Sequence, residues 1–188
     1  MTTALSPDPV ATAPWQIDTA HTEIEFSARH LMISNVKGRF SKPSGSVSYD
    51  PGQPDSLQLD VTIPVASVDT RNEQRDAHLR SADFFDAEHH PAMSFRGARI
   101  KGDIAGRFKL IGDLTIRGNT REVTLDVTSE GAGADPWGND RLGFSATAKI
   151  NRRDFGLTYN QVLETGGVVV GDEIKIIINT ELMRPRQQ

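Results

Sequence analysis

Apolar and polar residues alternate along most of this chain, the two-residue period of strands with one buried face. Ile24, Phe26 and Ala28 share one side of the run from His21 to Arg29, with Glu23, Glu25 and Ser27 on the other. Val36, Gly38 and Phe40 continue the period until Pro43 and Gly45 interrupt it, which predicts a bulge or an edge kink. Val47 and Tyr49 resume it, and Asp50-Pro51-Gly52-Gln53-Pro54 predicts a turn. Leu57, Leu59, Val61, Ile63 and Val65 then give five consecutive inward positions. Further inward rows are Met93, Phe95 and Gly97; Phe108, Leu110, Leu114 and Ile116; Val123, Leu125 and Val127. Leu142, Phe144, Ala146, Ala148 and Ile150 make another, and Ile174, Ile176 and Ile178 mark a last strand over Asp172 to Met183. Lys101-Gly102-Asp103 and Arg117-Gly118-Asn119-Thr120 predict hairpins, the second with Gly118 and Asn119 at its centre. Gly131 to Asp140 predicts a Gly-rich loop carrying Trp137.

One stretch breaks the alternation. Thr70 to Pro91 reads TRNEQRDAHLRSADFFDAEHHP and holds three of the five histidines. Its opening Thr70-Arg71-Asn72-Glu73 fits a capping box, predicting a helix of about three turns over residues 71–81. Asp76 and Arg80, spaced i,i+4, can pair on its outer face. A helix this short must dock to persist, and Leu79, Phe84 and Phe85 are the residues to dock it. About eight strands joined mostly by hairpins make an antiparallel sheet. No helical layer exists to cover its apolar face, so the sheet either closes on itself or splits into a sandwich, and strands of ten or more residues favour an up-and-down barrel over short sandwich strands. Eight strands leave an interior wide enough for side chains or one small ligand. The inward residues are mostly aliphatic. The lumen therefore either holds a long, narrow, apolar guest or is filled by its own side chains.

The length of 188 residues suits one domain. Low complexity at residues 1–13 predicts a disordered arm, residues 14–184 a single barrel, and 185–188 a flexible tail. The absence of cysteine excludes disulfides, thiol catalysis and Cys-ligated metals. A net charge of −4, with both signs interspersed, leaves no footprint for nucleic acid. No apolar run is long enough to span a membrane as a helix. The N-terminus has neither a basic n-region nor an apolar h-region. A cytoplasmic protein is expected, or a periplasmic or secreted one if the chain is a processed mature form.

The charged stretch invites a search for chemistry. His21 and His30 are nine apart and face opposite sides of an uninterrupted strand. The adjacent His89 and His90 diverge, and Asp76 and His78 at i,i+2 do not meet on a helix. No convergent metal set results, and no cofactor is expected. Asp69, Asp76 and His78 can supply an acid–base pair at a barrel mouth; equally, Arg75, Asp76 and His78 can form ion pairs that pin the helix to the rim. No G-x-S-x-G is present, and Gly166-Gly167 is neither a P-loop nor a dinucleotide fingerprint. Trp137 and Tyr159 stand too isolated for a nucleic-acid stacking surface.

Several motifs occur in a fixed order: Trp15-x-x-Asp18-x-x-His21-Thr22-x-Ile24-x-Phe26, then His30 and Val36-x-Gly38-x-Phe40. Asp69-Thr70, Arg75-Asp76-x-His78-Leu79, Asp83-Phe84-Phe85-Asp86 and His90-Pro91-x-Met93-x-Phe95 follow. Gly112-Asp113-Leu114-Thr115-Ile116-Arg117-Gly118 and Asn151-Arg152-x-Asp154-Phe155-Gly156 complete the set. In these the chain resembles the YceI-like family of polyisoprenoid-binding, lipocalin-like bacterial proteins, over roughly Trp15 to Met183. The resemblance implies an all-β fold: an eight-stranded antiparallel lipocalin-like barrel with a lipid-sized apolar tunnel and a short helix near Thr70–Phe85. It implies a non-enzymatic protein that binds, sequesters or transports a polyisoprenoid, an isoprenoid quinone or a fatty-acid-like chain. An enzyme acting on an apolar substrate, with Asp76 and His78 as acid and base, is the alternative; a self-filled interaction module is a third reading. Parity selects Phe26, Phe40, Val61, Phe95, Phe108, Leu114, Phe144 and Phe155 as tail contacts, with Phe84 and Phe85 closing one end. His30, Asp69, Arg75, Asp76 and His78 are the candidates to meet a head group or pin the helix. Many family members carry a signal peptide, whereas the segment Leu163 to Gly171 resembles a signal-less actinobacterial branch, again pointing to the cytoplasm. A homodimer through sheet edges or the barrel wall is the form of self-association to expect.

Overall fold

Eight antiparallel staves wrap into a closed barrel, drawn from ten strand segments because two staves are broken. The computed structural model describes residues 13–50, 53–162 and 168–186. The first stave is β1 (Trp15–Ile17) followed by β2 (Glu23–His30), and the second is β3 (Ser34–Phe40) followed by β4 (Ser44–Asp50). Then come β5 (Gln53–Pro64), β6 (Ala92–Gly102), β7 (Arg107–Ile116), β8 (Asn119–Ala134), β9 (Asn139–Asn151) and β10 (Val170–Pro185). Each stave pairs with the next in the chain, and β10 closes the ring by pairing with β9 on one side and with both β1 and β2 on the other.

The two breaks lie against each other. A 3-10 turn over Thr19–His21 separates β1 from β2, capped by Asp18, which accepts the Ala20 N–H at 2.9 Å. The Thr19 hydroxyl donates to the carbonyl of Pro43 in the second break at 2.9 Å. Proline has no N–H to give a ladder, so a buried Pro43 forces the interruption its sequence position predicts. Gly45 follows because a Cβ there would collide with Asp60 and Val61 of β5.

Between β5 and β6 the chain crosses one end of the barrel and forms α1 (Glu73–Arg80). Its cap is two residues later than the sequence pattern suggests. Asn72 accepts the Arg75 N–H at 2.9 Å, while Thr70 is engaged elsewhere. The expected Asp76–Arg80 pair is absent. Asp76 is buried and accepts both the N–H and the hydroxyl of Thr70, at 2.8 and 2.6 Å. Arg80 instead donates to the carbonyls of Ala66 and Val68. A buried carboxylate needs near, well-aligned donors, and a local amide and hydroxyl satisfy it better than a mobile guanidinium.

Three other boundaries shift. The β7–β8 turn centres on Arg117 and Gly118, both at positive φ (48° and 73°), one residue before the predicted pair. Asn119 instead donates to the carbonyls of Arg117 and Phe155. β8 runs on through the glycines to Ala134 past a bulge between Ser129 and Gly131, leaving only Asp135–Gly138 as the loop. β10 extends to Pro185, which pairs with Asn139, so the predicted tail is held in its first residues. The predicted arm over residues 1–12, the apex of the Asp50–Pro54 turn, the segment 163–167 with Gly166-Gly167, and residues 187–188 lie outside the described residues. Closure leaves β3 with an unladdered edge, where Arg39 and Asp69 exchange a pair of backbone hydrogen bonds at 2.9 Å. No helix among the described residues is long and apolar enough to cross a membrane.

Candidate ligand tunnel

Alternation puts one row of each stave inside, and these rows line a single cavity of about 340 Å³. It runs from Trp15, Tyr49, Leu57 and Leu142 at one end to Leu79, Phe84 and Leu157 at the other. All ten residues selected as tail contacts or end closure line it: Phe26, Phe40, Val61, Phe84, Phe85, Phe95, Phe108, Leu114, Phe144 and Phe155. Small residues keep it open. Ala28 and Ala146 face the lumen, and the missing side chain of Gly38 makes room for the Phe26 ring beside Thr70. Phe26, Phe40 and Phe85 stack in series, with centroids 5.4 and 5.6 Å apart. Phe108 and Phe144 meet edge to face at 6.1 Å nearer the opposite end.

The two ends differ. At the helix end the crossing segment and the turn after β9 lay Val65, Val68, Phe84, Phe85, Phe155 and Leu157 across the barrel, all buried. At the hairpin end the described connections are short, and of them the β6–β7 turn sends Ile104 to the lining. Among the described residues the helix end is the more fully covered, which makes the hairpin end the mouth of a cup. Trp15 stands there beneath the Arg184 guanidinium, 4.2 Å from the ring centroid.

None of the five polar candidates lines the cavity. Arg75 donates to the hydroxyl and carbonyl of Thr70 at 2.7 and 2.8 Å, and Asp76 accepts from the same residue. Thr70 thus ties both side chains of α1 to the crossing segment. Asp69 accepts the Arg71 N–H and the Arg39 side chain, which hold its carboxyl below the usual carboxylate range. His78 contacts Asp83 at 2.8 Å and packs edge-on against Phe84 and Tyr159. His30 ends β2. Asp76 and His78 are turned to different partners, so the acid–base pair envisaged for an enzyme is not formed.

Two arginines bind far more of the structure than their sequence setting suggests. Arg152, 4% exposed, donates to the carbonyls of Gly171, Leu157, Tyr159 and Val170. Its remaining contact is Asp172 Oδ1 at 3.0 Å, an ion-pair distance off the hydrogen-bonding direction. Burial pulls this guanidinium below its ordinary range, and Asp172 works against that. With its donors engaged, Arg152 latches the turn after β9 to the start of β10.

Arg141, on the outer wall near the mouth, meets Asp18, Glu181 and Asp135 at 2.5, 2.8 and 2.9 Å. Asp18, His21 and Glu181 converge as a metal set would, but the Arg141 guanidinium already bridges the two carboxylates. Burial opposes the ionisation of Asp18, yet hydrogen bonds from Arg141, His21 and the Ala20 amide outweigh it and bring its carboxyl down to about 2. Burial likewise opposes ionisation of Asp135, and Asn139, Arg141 and the Trp137 amide overcome it. A carboxyl depressed from an ordinary 3.8 stabilises the fold above that value and loses its contribution as pH falls through about 2. The Tm gap between wild type and Arg141→Met is therefore expected to shrink between about pH 4 and pH 2 in thermal melts. A gap constant over that range would show that the cluster does not stabilise through its charges.

Residues 15–182 match the YceI-like domain. The chain belongs to the YceI-like family. A UPF0312 protein of Staphylococcus epidermidis is 39% identical over 168 residues, covering 89% of this chain and 95% of its own. The crystal structure of a Campylobacter jejuni YceI protein is similar at 34% identity and a TM-score of 0.67, over 85% of this chain and 90% of that one. A polyisoprenoid-binding domain from Saccharophagus degradans shares the fold at a TM-score of 0.63 and 14% identity, covering 91% and 98%. In this YceI-like barrel two of the sequence motifs turn out to be architectural. Asn151-Arg152-x-Asp154-Phe155-Gly156 carries the Arg152 latch, and Trp15-x-x-Asp18-x-x-His21 carries Asp18, one of the three acids that Arg141 gathers.

Proposed function

We propose that the cup holds one long apolar lipid chain, and that this YceI-like protein binds, sequesters or carries it. The observation that carries the reading is the cavity: lined mostly by apolar side chains, covered at one end, and not filled by them. A methylene takes no more room than the roughly 30 Å³ of a water in liquid, so about 340 Å³ admits at least some eleven carbons. At about 0.8 kcal/mol per buried CH₂ such a chain contributes on the order of 9 kcal/mol gross, part of it offset by the ordering of the chain. A fold neighbour described as polyisoprenoid-binding supports an occupant of this kind, and an isoprenoid quinone or fatty chain meets the same description. The lining holds no acid–base pair among the described residues, which favours retention over turnover.

Organic extraction of the purified protein, followed by mass spectrometry, tests the reading. One chemically unchanged lipid at near-stoichiometric amount is expected. Adding such a lipid at about a hundred times its Kd should stabilise the fold by roughly 2.7 kcal/mol, a rise of about 5–10 °C in Tm for a chain of this size. No extractable lipid together with no thermal shift from any long-chain lipid would leave the barrel an empty module.

A further inference from the structure

The lumen wall contains one polar pair with unused bonding capacity. Thr22 and Thr180 both line the cavity, and their hydroxyl oxygens are 2.8 Å apart. They meet at the break in the first stave. β2 pairs with β10 as far as Glu23 opposite Asn179, and β1 resumes at Ile17 opposite Leu182. Thr180 therefore has no strand partner on that side, and the hydroxyl of Thr22 takes that place. Two hydroxyls bring two hydrogens, and their mutual bond uses one. No other hydrogen bond to either hydroxyl occurs among the described residues.

The remaining polar lining offers a guest little. The Arg152 donors are engaged by its own chain. Glu25 belongs to the outer row, opposite Arg39 of β3. Tyr49 and Trp15 stand at the mouth. A pure hydrocarbon lying past Thr22 and Thr180 would strand a hydroxyl hydrogen in a dry lumen. At the depth of Thr22 and Thr180 a phosphate or carboxylate finds no lining cation with a free donor, the Arg184 guanidinium standing four residues further along β10 over Trp15 at the mouth, and a buried unpaired charge is costly.

We propose that Thr22 and Thr180 anchor one neutral oxygen of the lipid, a hydroxyl, carbonyl, ester or amide group, and that this position rejects an anionic head. This rests on the lumen holding a lipid. Thr180 pairs with Phe144 of β9, so the anchored oxygen lies level with the Phe108–Phe144 pair. The chain beyond it runs toward the helix end past Ile24, Ile178, Phe26 and Phe40.

Displacement of an environment-sensitive fluorescent lipid by dodecanol, dodecane and dodecyl phosphate tests the anchor, because comparing proteins for each probe cancels its solubility. From wild type to the Thr22→Val/Thr180→Val double variant, the affinity for dodecanol relative to dodecane should fall about tenfold. Thr22→Ser keeps the hydroxyl and should keep the preference. Dodecyl phosphate, whose head the pair does not hold, should lose no more affinity in the double variant than dodecane does. If the double variant does not fold by circular dichroism, Thr180→Val alone carries the comparison. An unchanged ratio, or a loss of dodecyl phosphate affinity in the double variant as large as that of dodecanol, overturns the anchor while leaving the lipid cup standing. Failure of all three probes to displace the fluorophore from folded wild type overturns both.

Discussion

Phe144→Glu is expected to abolish lipid retention. Phe144 lines the cup opposite Phe108, 6.1 Å away, and no cation with a free donor lines that part of the lumen. A carboxylate there must either ionise without a partner or lie against the apolar chain it should hold. An unpaired buried charge costs several kcal/mol, equivalent to a loss of about a thousandfold in affinity. Phe144→Leu keeps the apolar wall and should retain lipid. Extraction and mass spectrometry read the outcome, and circular dichroism shows whether the barrel survives. A folded Phe144→Glu protein that still yields stoichiometric lipid would sink the assignment of the cup as the binding site.

The second large effect concerns stability. Arg152→Met fills a similar volume but leaves the carbonyls of Gly171, Leu157 and Tyr159 without the guanidinium donor, leaves Val170 only its Asn160 donor, and removes the ion-pair partner of Asp172 Oδ1. Removing one partner of such a buried charged network costs about 3–5 kcal/mol, a fall in Tm of roughly 6–20 °C for a domain of this length. Thermal and urea melts measure it. A loss under about 1 kcal/mol would mean the turn after β9 is held by its apolar contacts, chiefly Phe155 and Leu157, and not by the latch.

The barrel itself was legible because its signal is periodic. Each stave buries one face, so Leu57 to Val65 or Leu142 to Ile150 announce which side chains point inward, and parity picks the tunnel lining with no knowledge of pairing. What parity could not show is whether the inward residues meet. That depends on barrel diameter and on gaps such as Gly38 and Ala146, which only the closed structure adds together. The charged stretch misled for a related reason. Density of His, Arg and Asp between Thr70 and Pro91 looks like a site, but Arg75 and Asp76 are taken by Thr70 and His78 by Asp83, all within a few residues. Local donors reach a side chain before distant ones do. Arg152 showed only as a member of a motif and Arg141 not at all, because carbonyl partners such as Leu157 and Gly171 leave no side-chain pattern and the acids Asp18 and Glu181 lie far from Arg141 in the chain. Thr22 and Thr180, more distant still, carry no pattern that links them.

The ring is closed by its final stave, and this bears on how the chain is made. β10 leaves the ribosome after every other stave of the barrel, yet it supplies one whole side of both β9 and the broken first stave. Until it emerges, the nascent sheet has two bare edges and an apolar face open to water, the form most prone to pair with other chains. Pairing the first and last staves also joins segments at nearly the greatest sequence separation the chain allows, which slows folding. A nascent chain lacking β10 should therefore engage chaperones and resist folding, and a lipid that needs the finished cup can enter only after β10 has joined the ring.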